Sequence, residues 1–594
     1  MKSQKLAIAE LVAPVVGLST SDVAALIEYP PNEDMGDLAL PCFRFAKQLR
    51  KAPTEIAKDV ATTLTESGAF SKVDVAGGYV NVYLSHSGVA RQVIQTLRSN
   101  PLFLFSEERQ KGDSFAIDYS SPNIAKPFGV GHLRSTMIGH AIANLLRADG
   151  STVIGINHLG DWGTQFGKNI AAYRMWGDEE TVRQNPTREL LALYVRFHAE
   201  AEKNPNLEDE GRAWFKRLED GDEEARALWQ WFIDESLKAF QATYDRLGIH
   251  HEYVLGESFY NDKMDAVVDE LREKGLLVES QGAEVVDLSA YDLPPCIIRK
   301  SDGATIYATR DLAAAIYRHD VLGGNHLIYV VGGEQTLHFQ QVFKVLELMG
   351  REWAKDCRHV AFGMMKYNGE RLSTRRGKII YLEDVLEKAV AEAMRIIEEK
   401  NPSLPNKSDV AEAVGIGAVV FNDLKNYRMH EVDFRYEDVL NFDGETGPYV
   451  QYTHARACSV LRKAGSDWEK GTSVEAIVIG NDGMGNDAVG SSAGPGINAD
   501  GSSGELHPSE WRLVVEMNKA NEVFERAIDQ LDPSLVARLV LDVCHAFNRF
   551  YHDVPILSAG TESDKMFRLG LTDATRAFIA YCLNLLGLRA PEAM

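Results

Sequence analysis

The sequence predicts an α/β chain: a parallel-sheet central domain, a small α+β domain before it and an all-α domain after it. Three observations carry this reading. Residues 114–157 run strand, helix, strand, the pattern of a parallel βαβ unit with a right-handed crossover. Two further core-strand patterns, Leu327–Val331 and Val360–Met365, return after a long charged helical stretch. From about residue 381 onward the apolar spacing is helical, apart from one Gly/Ser-rich segment.

In chain order, residues 1–107 mix helical and strand-like patterns. The N-terminal MKSQKLAIAELVAPVV has its apolar run broken by Glu10, so it reads as an amphipathic helix and not as a signal peptide. Gly77-Gly78 reads as a turn entering the strand Tyr79–Leu84. The central domain is expected over 108–440. Its first strand is Ser114–Ser120, its helical face begins at Met137, Gly150 stops that helix, and Ser151–Asn157 is the next strand. A helical insertion is expected at about 168–290, with strand-like pieces returning at 282–288 and 297–300. The helical domain spans 441–594. Residues 480–505, rich in Gly, Ser, Asn and Asp, cannot bury enough apolar surface to offset ordering and are expected to be a flexible insertion.

Composition excludes several classes. With 45% hydrophobic and 25% charged residues over 594 positions, the chain is not wholly disordered, collagenous or a coiled-coil rod. No stretch approaches the roughly 20 apolar residues of a membrane span, so no membrane partner is expected. Six dispersed cysteines without a C-x-x-C pair point to no zinc ribbon, no disulfide framework and a reducing, cytoplasmic setting. A formal net charge of −23 argues against indiscriminate nucleic-acid binding but leaves room for local basic patches.

The segment Ser121–Thr136, SPNIAKPFGVGHLRST, joins the first strand to its helix, where open α/β sheets bind nucleotides. Gly129 and Gly131 permit close backbone approach to a phosphate, and a helix N-terminus presents free N–H groups. His132 and Lys126 add donors that can stabilise phosphate charge. Taken alone, Gly-Val-Gly-His is a weak signal. Together with GDWGTQFG (160–167), SDGATIYATRDLA (301–313), VGGEQTLHFQQVF (331–343), NFDGETGPYVQYTHARA (441–457) and LLGLRAPEAM (585–594), the chain resembles the class I aminoacyl-tRNA synthetases, and within them the arginyl enzymes.

That resemblance implies a Rossmann-like catalytic domain, a tRNA-contacting N-terminal domain and an anticodon-binding C-terminal domain. It implies ATP-dependent activation of arginine, with magnesium accompanying ATP, and transfer to arginine tRNA by a monomer. No resident metal is expected. Two departures stand out. Gly129 replaces the first histidine of the His-Ile-Gly-His signature, and Thr374 replaces the second lysine of Lys-Met-Ser-Lys-Ser. The resemblance places Lys126, His132, Arg371, Ser373 and Arg375 in the catalytic set, and Gly129, Gly131, His132 and Met365 at ATP. Lys126 and the arginines of the 371–378 loop are the cations expected to substitute for the missing lysine.

A guanidinium offers five donors and no acceptor, so its site needs positioned acids. The resemblance carries Asp118, Asn123, Tyr307, Asp311 and Gln335 onto the arginine pocket. Asp311 with Tyr307 is expected at the guanidinium, and Asp118 with Asn123 at the α-amino end. Tyr79, Asn81 and Tyr83 alternate along one strand face, an arrangement able to stack and read unpaired bases. Near them, Arg44, Lys47, Arg50 and Lys51 are expected on a single helix. In the helical domain, Arg456, Asn548 and Tyr551 are the expected tRNA contacts.

Overall fold

The computed structural model describes residues 1–99, 113–301, 306–367, 369–371, 380–439, 444–465 and 506–594. The first helix, Lys2–Val16, buries Ile8, Ala9, Val12 and Val16, the i, i+1, i+4, i+8 stripe of an amphipathic helix. Beside it lies an antiparallel sheet of β1 (Leu38–Pro41), β2 (Lys72–Ala76) and β3 (Tyr79–Tyr83), ordered β1-β3-β2. The turn between β2 and β3 needs Gly77, whose φ is +61°. The basic residues after β1 do not share one helix. A 3₁₀ turn (Cys42–Phe45) runs into the one-turn helix Ala46–Leu49, and Arg50 then takes a left-handed conformation at φ 54° that ends it.

The central domain follows. Its strands are β4 (Ser114–Asp118), β5 (Thr152–Asn157) and β6 (Tyr253–Val254). A separate antiparallel meander is formed by β7 (Leu277–Ser280), β8 (Ala283–Val286) and β9 (Cys296–Arg299). Then come β10 (His326–Gly332) and β11 (Arg358–Phe362), and a small sheet of β12 (Met365–Tyr367), β13 (Glu370–Arg371) and β14 (Val432–Phe434). The main sheet is ordered β11-β10-β4-β5-β6 and every pair in it is parallel. From β4 the chain winds outward through β5 and β6, then returns to β10 on the other side of β4. The winding direction therefore reverses between β4 and β10, and the crevice at their carboxyl ends is where such sheets bind ligands.

The helix after β4 begins at Val130, beside His132 as expected for its N-terminus and ahead of the apolar face that starts at Met137. Its first turns carry His132, Arg134 and Ser135, polar residues that hide the apolar period, yet Arg134 and Ser135 are buried. The strand expected at Val360–Met365 is two strands. Gly363 breaks it, donating its N–H to the Arg428 carbonyl at 2.9 Å, and a side chain there would lie 2.6 Å from the carbonyl oxygens of Met429 and His430. Arg134 fastens the same point. Its guanidinium donates to the carbonyls of Gly363 (2.6 Å) and His430 (2.9 Å) and pairs with buried Asp423 at 2.8 Å.

Five helices and the short β6 fill 164–254, and helices dominate from Leu382 to the end, with β14 as an exception among the described residues. All six cysteines are free and buried. Among the described residues no single helix is long and apolar enough to cross a membrane.

Candidate active site

The chain leaving β4 is held in an unusual path. Ser120, Ser121 and Ala125 all have positive φ (74°, 48° and 56°), a conformation that costs a non-glycine residue about 1–3 kcal/mol. Hydrogen bonds hold it there. Ser120 N–H donates to Ser135 Oγ (3.0 Å), Ser121 N–H to Asn157 Oδ1 (3.2 Å), and Ala125 N–H to Ser236 Oγ (3.2 Å). Asn123 lies against Gly160, where a Cβ would sit 2.3 Å from Asn123 Oδ1, so glycine is required for that close approach.

The segment ends at Gly129, the N-cap of helix Val130–Ala148. Gly129 N–H donates to His132 Nδ1 at 3.2 Å. Burial, reinforced by the positive charge of Lys126, lowers the His132 pKa to about 4. His132 is therefore neutral near pH 7. With Nδ1 accepting, its proton sits on Nε2, which makes the outer ring nitrogen a donor. Gly131 is exposed on the same first turn, and Lys126 lies 5.9 Å from the ring centroid of Tyr194.

The acids gather at the crevice. Asp118, 6% exposed at the end of β4, pairs with the buried Arg318 at 2.8 Å and accepts from Ser121 Oγ at 2.6 Å. An arginine of the chain itself thus already balances Asp118. Arg318 sits on helix Tyr307–Asp320, which also carries Asp311. Asp311 Oδ2 lies 2.5 Å from His338 Nε2. Burial alone would raise the Asp311 pKa, but the hydrogen bond and charge of His338, with His158 and Arg318, outweigh it and hold the carboxyl below its usual range. Tyr307 begins that helix four residues before Asp311 and is exposed. Gln335 ends the 3₁₀ turn just past β10, exposed on the other bank of the crevice.

Sequence reasoning missed Glu257. It follows β6, another carboxyl end of the parallel sheet. Arg310 Nη1 donates to its Oε2 at 3.4 Å. Burial, opposed by Arg310 and assisted by the charges of Asp161 and Asp311, pushes its pKa up to about 7. The only signal available to sequence was a two-residue edge strand inside a helical insertion. Asp161 is similarly raised by burial and accepts from Ser258 N–H and Oγ, both at 2.7 Å. His158 N–H donates to Ser121 Oγ at 3.3 Å, and its Nδ1 lies 3.1 Å from the Leu255 carbonyl oxygen.

Met365 is buried at the start of β12. Arg371 ends β13, paired in register with Lys366. Ser373, Thr374 and Arg375 lie outside the described residues.

The remaining candidates form two clusters away from the crevice. Tyr79, Asn81 and Tyr83 share one face of β3, but Asn81 is buried between β1 and β2, so its amide is not an open reading edge. Tyr79 is exposed, and Tyr83 donates its hydroxyl to the Asp34 carbonyl at 2.9 Å. In the helical domain, Arg456, Asn548 and Tyr551 do come together. Arg456 donates to Asn548 Oδ1, and its guanidinium lies 5.2 Å from the Tyr551 ring centroid and 4.9 Å from that of Tyr452. Asn548 Nδ2 donates to Tyr449 Oη and Thr453 Oγ1, so its amide is committed inside the domain and orients Arg456. A cleft of about 560 Å³ opens there, with Arg462 and Lys463 on its wall.

A parallel sheet whose winding reverses beside a glycine-capped helix N-terminus, followed by a helical domain, is the architecture of a class I aminoacyl-tRNA synthetase. Comparison with known proteins agrees. The family models for the class I (R) tRNA synthetase catalytic domain, the DALR anticodon binding domain and the arginyl tRNA synthetase N terminal domain match residues 92–436, 450–594 and 3–84. The chain is 49% identical to an arginine–tRNA ligase of Exiguobacterium sp., over 99% of both chains, and 48% identical to that of Clostridioides difficile, over 100% of both. It superposes on Thermus thermophilus arginyl-tRNA synthetase with a TM-score of 0.79 at 25% identity, covering 100% of this chain and 99% of that one. The chain belongs to the arginyl-tRNA synthetase family.

Proposed function

We propose that this chain is a cytoplasmic, monomeric arginine–tRNA ligase that takes ATP with its accompanying magnesium. The observation that carries the reading is the set of carboxylates at the crevice, Asp118, Asp311 and Glu257, beside a phosphate-suited helix N-terminus. The pocket's acids outnumber what its own arginines balance. Arg318 is spent on Asp118 and Arg310 leans on Glu257, while Asp311 pairs with His338. A cationic side chain with a fork of N–H donors suits that imbalance.

In the first step an oxygen of the arginine carboxylate attacks the α-phosphorus of ATP, forming arginyl-adenylate and expelling pyrophosphate. Such in-line displacement needs alignment and charge stabilisation, with no covalent enzyme nucleophile. The neutral His132 donates from Nε2, the Gly131 N–H in the first turn of helix Val130–Ala148 is assigned to the phosphates, and Lys126 contributes a cation. In the second step a ribose hydroxyl at the tRNA 3′ end attacks the activated carbonyl and AMP leaves. The 371–378 loop, with Arg371, Ser373 and Arg375, is assigned to the triphosphate. Gly129, Gly131 and Met365 are assigned to the nucleotide, and Asn123, Tyr307 and Gln335 to the amino acid. The β3 face and the Arg456–Tyr551 cleft are assigned to tRNA. The assay is transfer of labelled arginine to arginine tRNA with ATP, beside ATP–pyrophosphate exchange with tRNA present. Failure of both in folded protein would replace this reading with that of a non-catalytic tRNA-binding relative.

A further inference from the structure

The helical insertion grips the phosphate-facing turn from behind. The turn Phe128–Val130 is half of a two-stranded contact. Val130 N–H donates to the Ile380 carbonyl (3.1 Å), Leu382 N–H donates to the Phe128 carbonyl (2.9 Å), and Gly129 pairs antiparallel with Tyr381. Two hydrogen bonds thus tie the start of helix Val130–Ala148 to the start of helix Leu382–Lys400. Tyr381 is itself held from outside. The Arg188 guanidinium lies 4.1 Å from its ring centroid and also pairs with Asp384, in the first turn of Leu382–Lys400. Arg188 belongs to the insertion helix Pro186–Lys203, and the same helix supplies Tyr194 near Lys126. One helix of the insertion therefore reaches both flanks of the turn, Lys126 before it and Tyr381 behind it.

We infer that Arg188 is a positioning residue for ATP: through Tyr381 it sets the backbone of Phe128–Val130 and with it the direction of the helix N-terminus that faces the phosphates. The inference rests on the function proposed above. Arg188 and Asp384 are each 40% exposed, so their ion pair alone contributes little. The specific requirement is a planar cation that stacks on a ring while its edge meets a carboxylate, which arginine satisfies and lysine only in part. The two hydrogen bonds to 380–382 are the backbone link through which Tyr381 acts on this turn, and a small displacement of the phosphate donors costs rate without unfolding anything. Because the arginine pocket lies on β4, β10 and helix Tyr307–Asp320, the effect should fall on ATP and spare the amino acid.

The test is ATP–pyrophosphate exchange at saturating tRNA, with kcat and KM measured separately for ATP and arginine. Arg188→Ala should lower kcat/KM for ATP about three- to tenfold while leaving KM for arginine within about twofold. Arg188→Lys should recover part of the loss. Tyr381→Leu, which keeps the backbone contact but removes the ring, should reproduce it, and decides the matter if Arg188→Ala does not fold. Arg183→Ala is the control, since Arg183 pairs with Glu179 and Glu235 within the insertion. Unchanged ATP parameters in Arg188→Ala, equal losses for ATP and arginine, or the same loss in Arg183→Ala would overturn the inference. A wild-type protein that neither exchanges nor charges would instead sink the proposed function.

Discussion

Glu257, which the proposed function sets among the carboxylates at the arginine site, should make arginine binding sensitive to pH near neutrality, and the sign follows from its surroundings. Burial raises its pKa to about 7; Arg310 and Lys126 pull it down, and Asp161 and Asp311 push it up. Below that value the side chain is neutral, and above it is an anion. A bound guanidinium favours the anion, so arginine affinity should rise with pH and binding should release a proton. For a group titrating near 7, the ionised fraction is about 0.9 at pH 8 and about 0.1 at pH 6. If bound arginine holds Glu257 ionised across this range, KM for arginine should be about tenfold higher at pH 6 than at pH 8. Glu257→Gln isolates this contribution. It should bind arginine more weakly at pH 8 and show a nearly flat profile. The measurements are KM for arginine from pH 6 to 8 at saturating ATP, and calorimetric proton release in two buffers of different ionisation enthalpy. A flat wild-type profile, or an unchanged inflection in Glu257→Gln, would refute the assignment.

Asp311→Asn keeps the shape that meets His338 but removes the charge offered to a guanidinium. It should cost about 1.5–3 kcal/mol, raising KM for arginine about ten- to 150-fold and KM for ATP far less; equal effects on both would remove Asp311 from the pocket. Lys126→Ala should slow adenylate formation about 10²–10³-fold with a smaller change in ATP affinity. Lys126→Arg, and Thr374→Lys placed in the Lys126→Ala background, should recover part of that rate, whereas a fully active Lys126→Ala enzyme would shift the task to the arginines of the 371–378 loop. Tyr79→Ala with Tyr83→Ala should raise KM for tRNA about tenfold and leave arginine and ATP unaltered; an unchanged tRNA KM would make that face ordinary surface.

The sequence made the central sheet legible because β4 and β10 are buried apolar runs, the mark of a strand covered on both faces. It also made the acid at the end of β4 legible, since a charge closing such a run needs a partner. It could not name the partner. Arg318 lies two hundred positions further along the chain, and the return of the chain to β10, parallel to and beside β4, brings its helix beside Asp118. The apolar face of the helix after β4 became legible only from Met137 for a related reason, although His132 already marked its N-terminus. Arg134 and Ser135 interrupt the apolar period, but both are buried because Gly363, His430 and Val330 offer them carbonyls. Asn548 shows the converse error. Its neighbours in sequence read as a base-contacting string, but three hydrogen bonds turn its amide inward.

The contact between the N-terminal and helical domains changes how the first of them should be tested. β3 runs directly into Leu84, whose N–H donates to Asp37 Oδ2 at 2.7 Å, and Asp37 Oδ1 accepts from Trp511 Nε1 at 3.0 Å. His86 stacks on Trp511 with 3.7 Å between centroids. Further along, Lys5 pairs with Glu522 at 2.8 Å, Tyr29 donates to Glu522 at 3.1 Å, and Arg98 pairs with Asp573 at 3.0 Å. Sequence alone suggests deleting residues 1–107 and asking whether tRNA charging weakens while ATP and arginine binding persist. The structure argues that this deletion removes more than a tRNA surface. It strips Trp511 of Asp37 and His86, Glu522 of Lys5 and Tyr29, and Asp573 of Arg98, and exposes apolar residues of the helical domain, since one hydrophobic core runs through both. A truncated protein should therefore melt at a lower temperature than the intact chain. A loss of charging in it would not distinguish a missing tRNA contact from a loosened helical domain. Side chains that face outward from β3 can be removed without touching Asp37 or Trp511, which is why Tyr79 and Tyr83, and not the domain as a whole, are the discriminating targets.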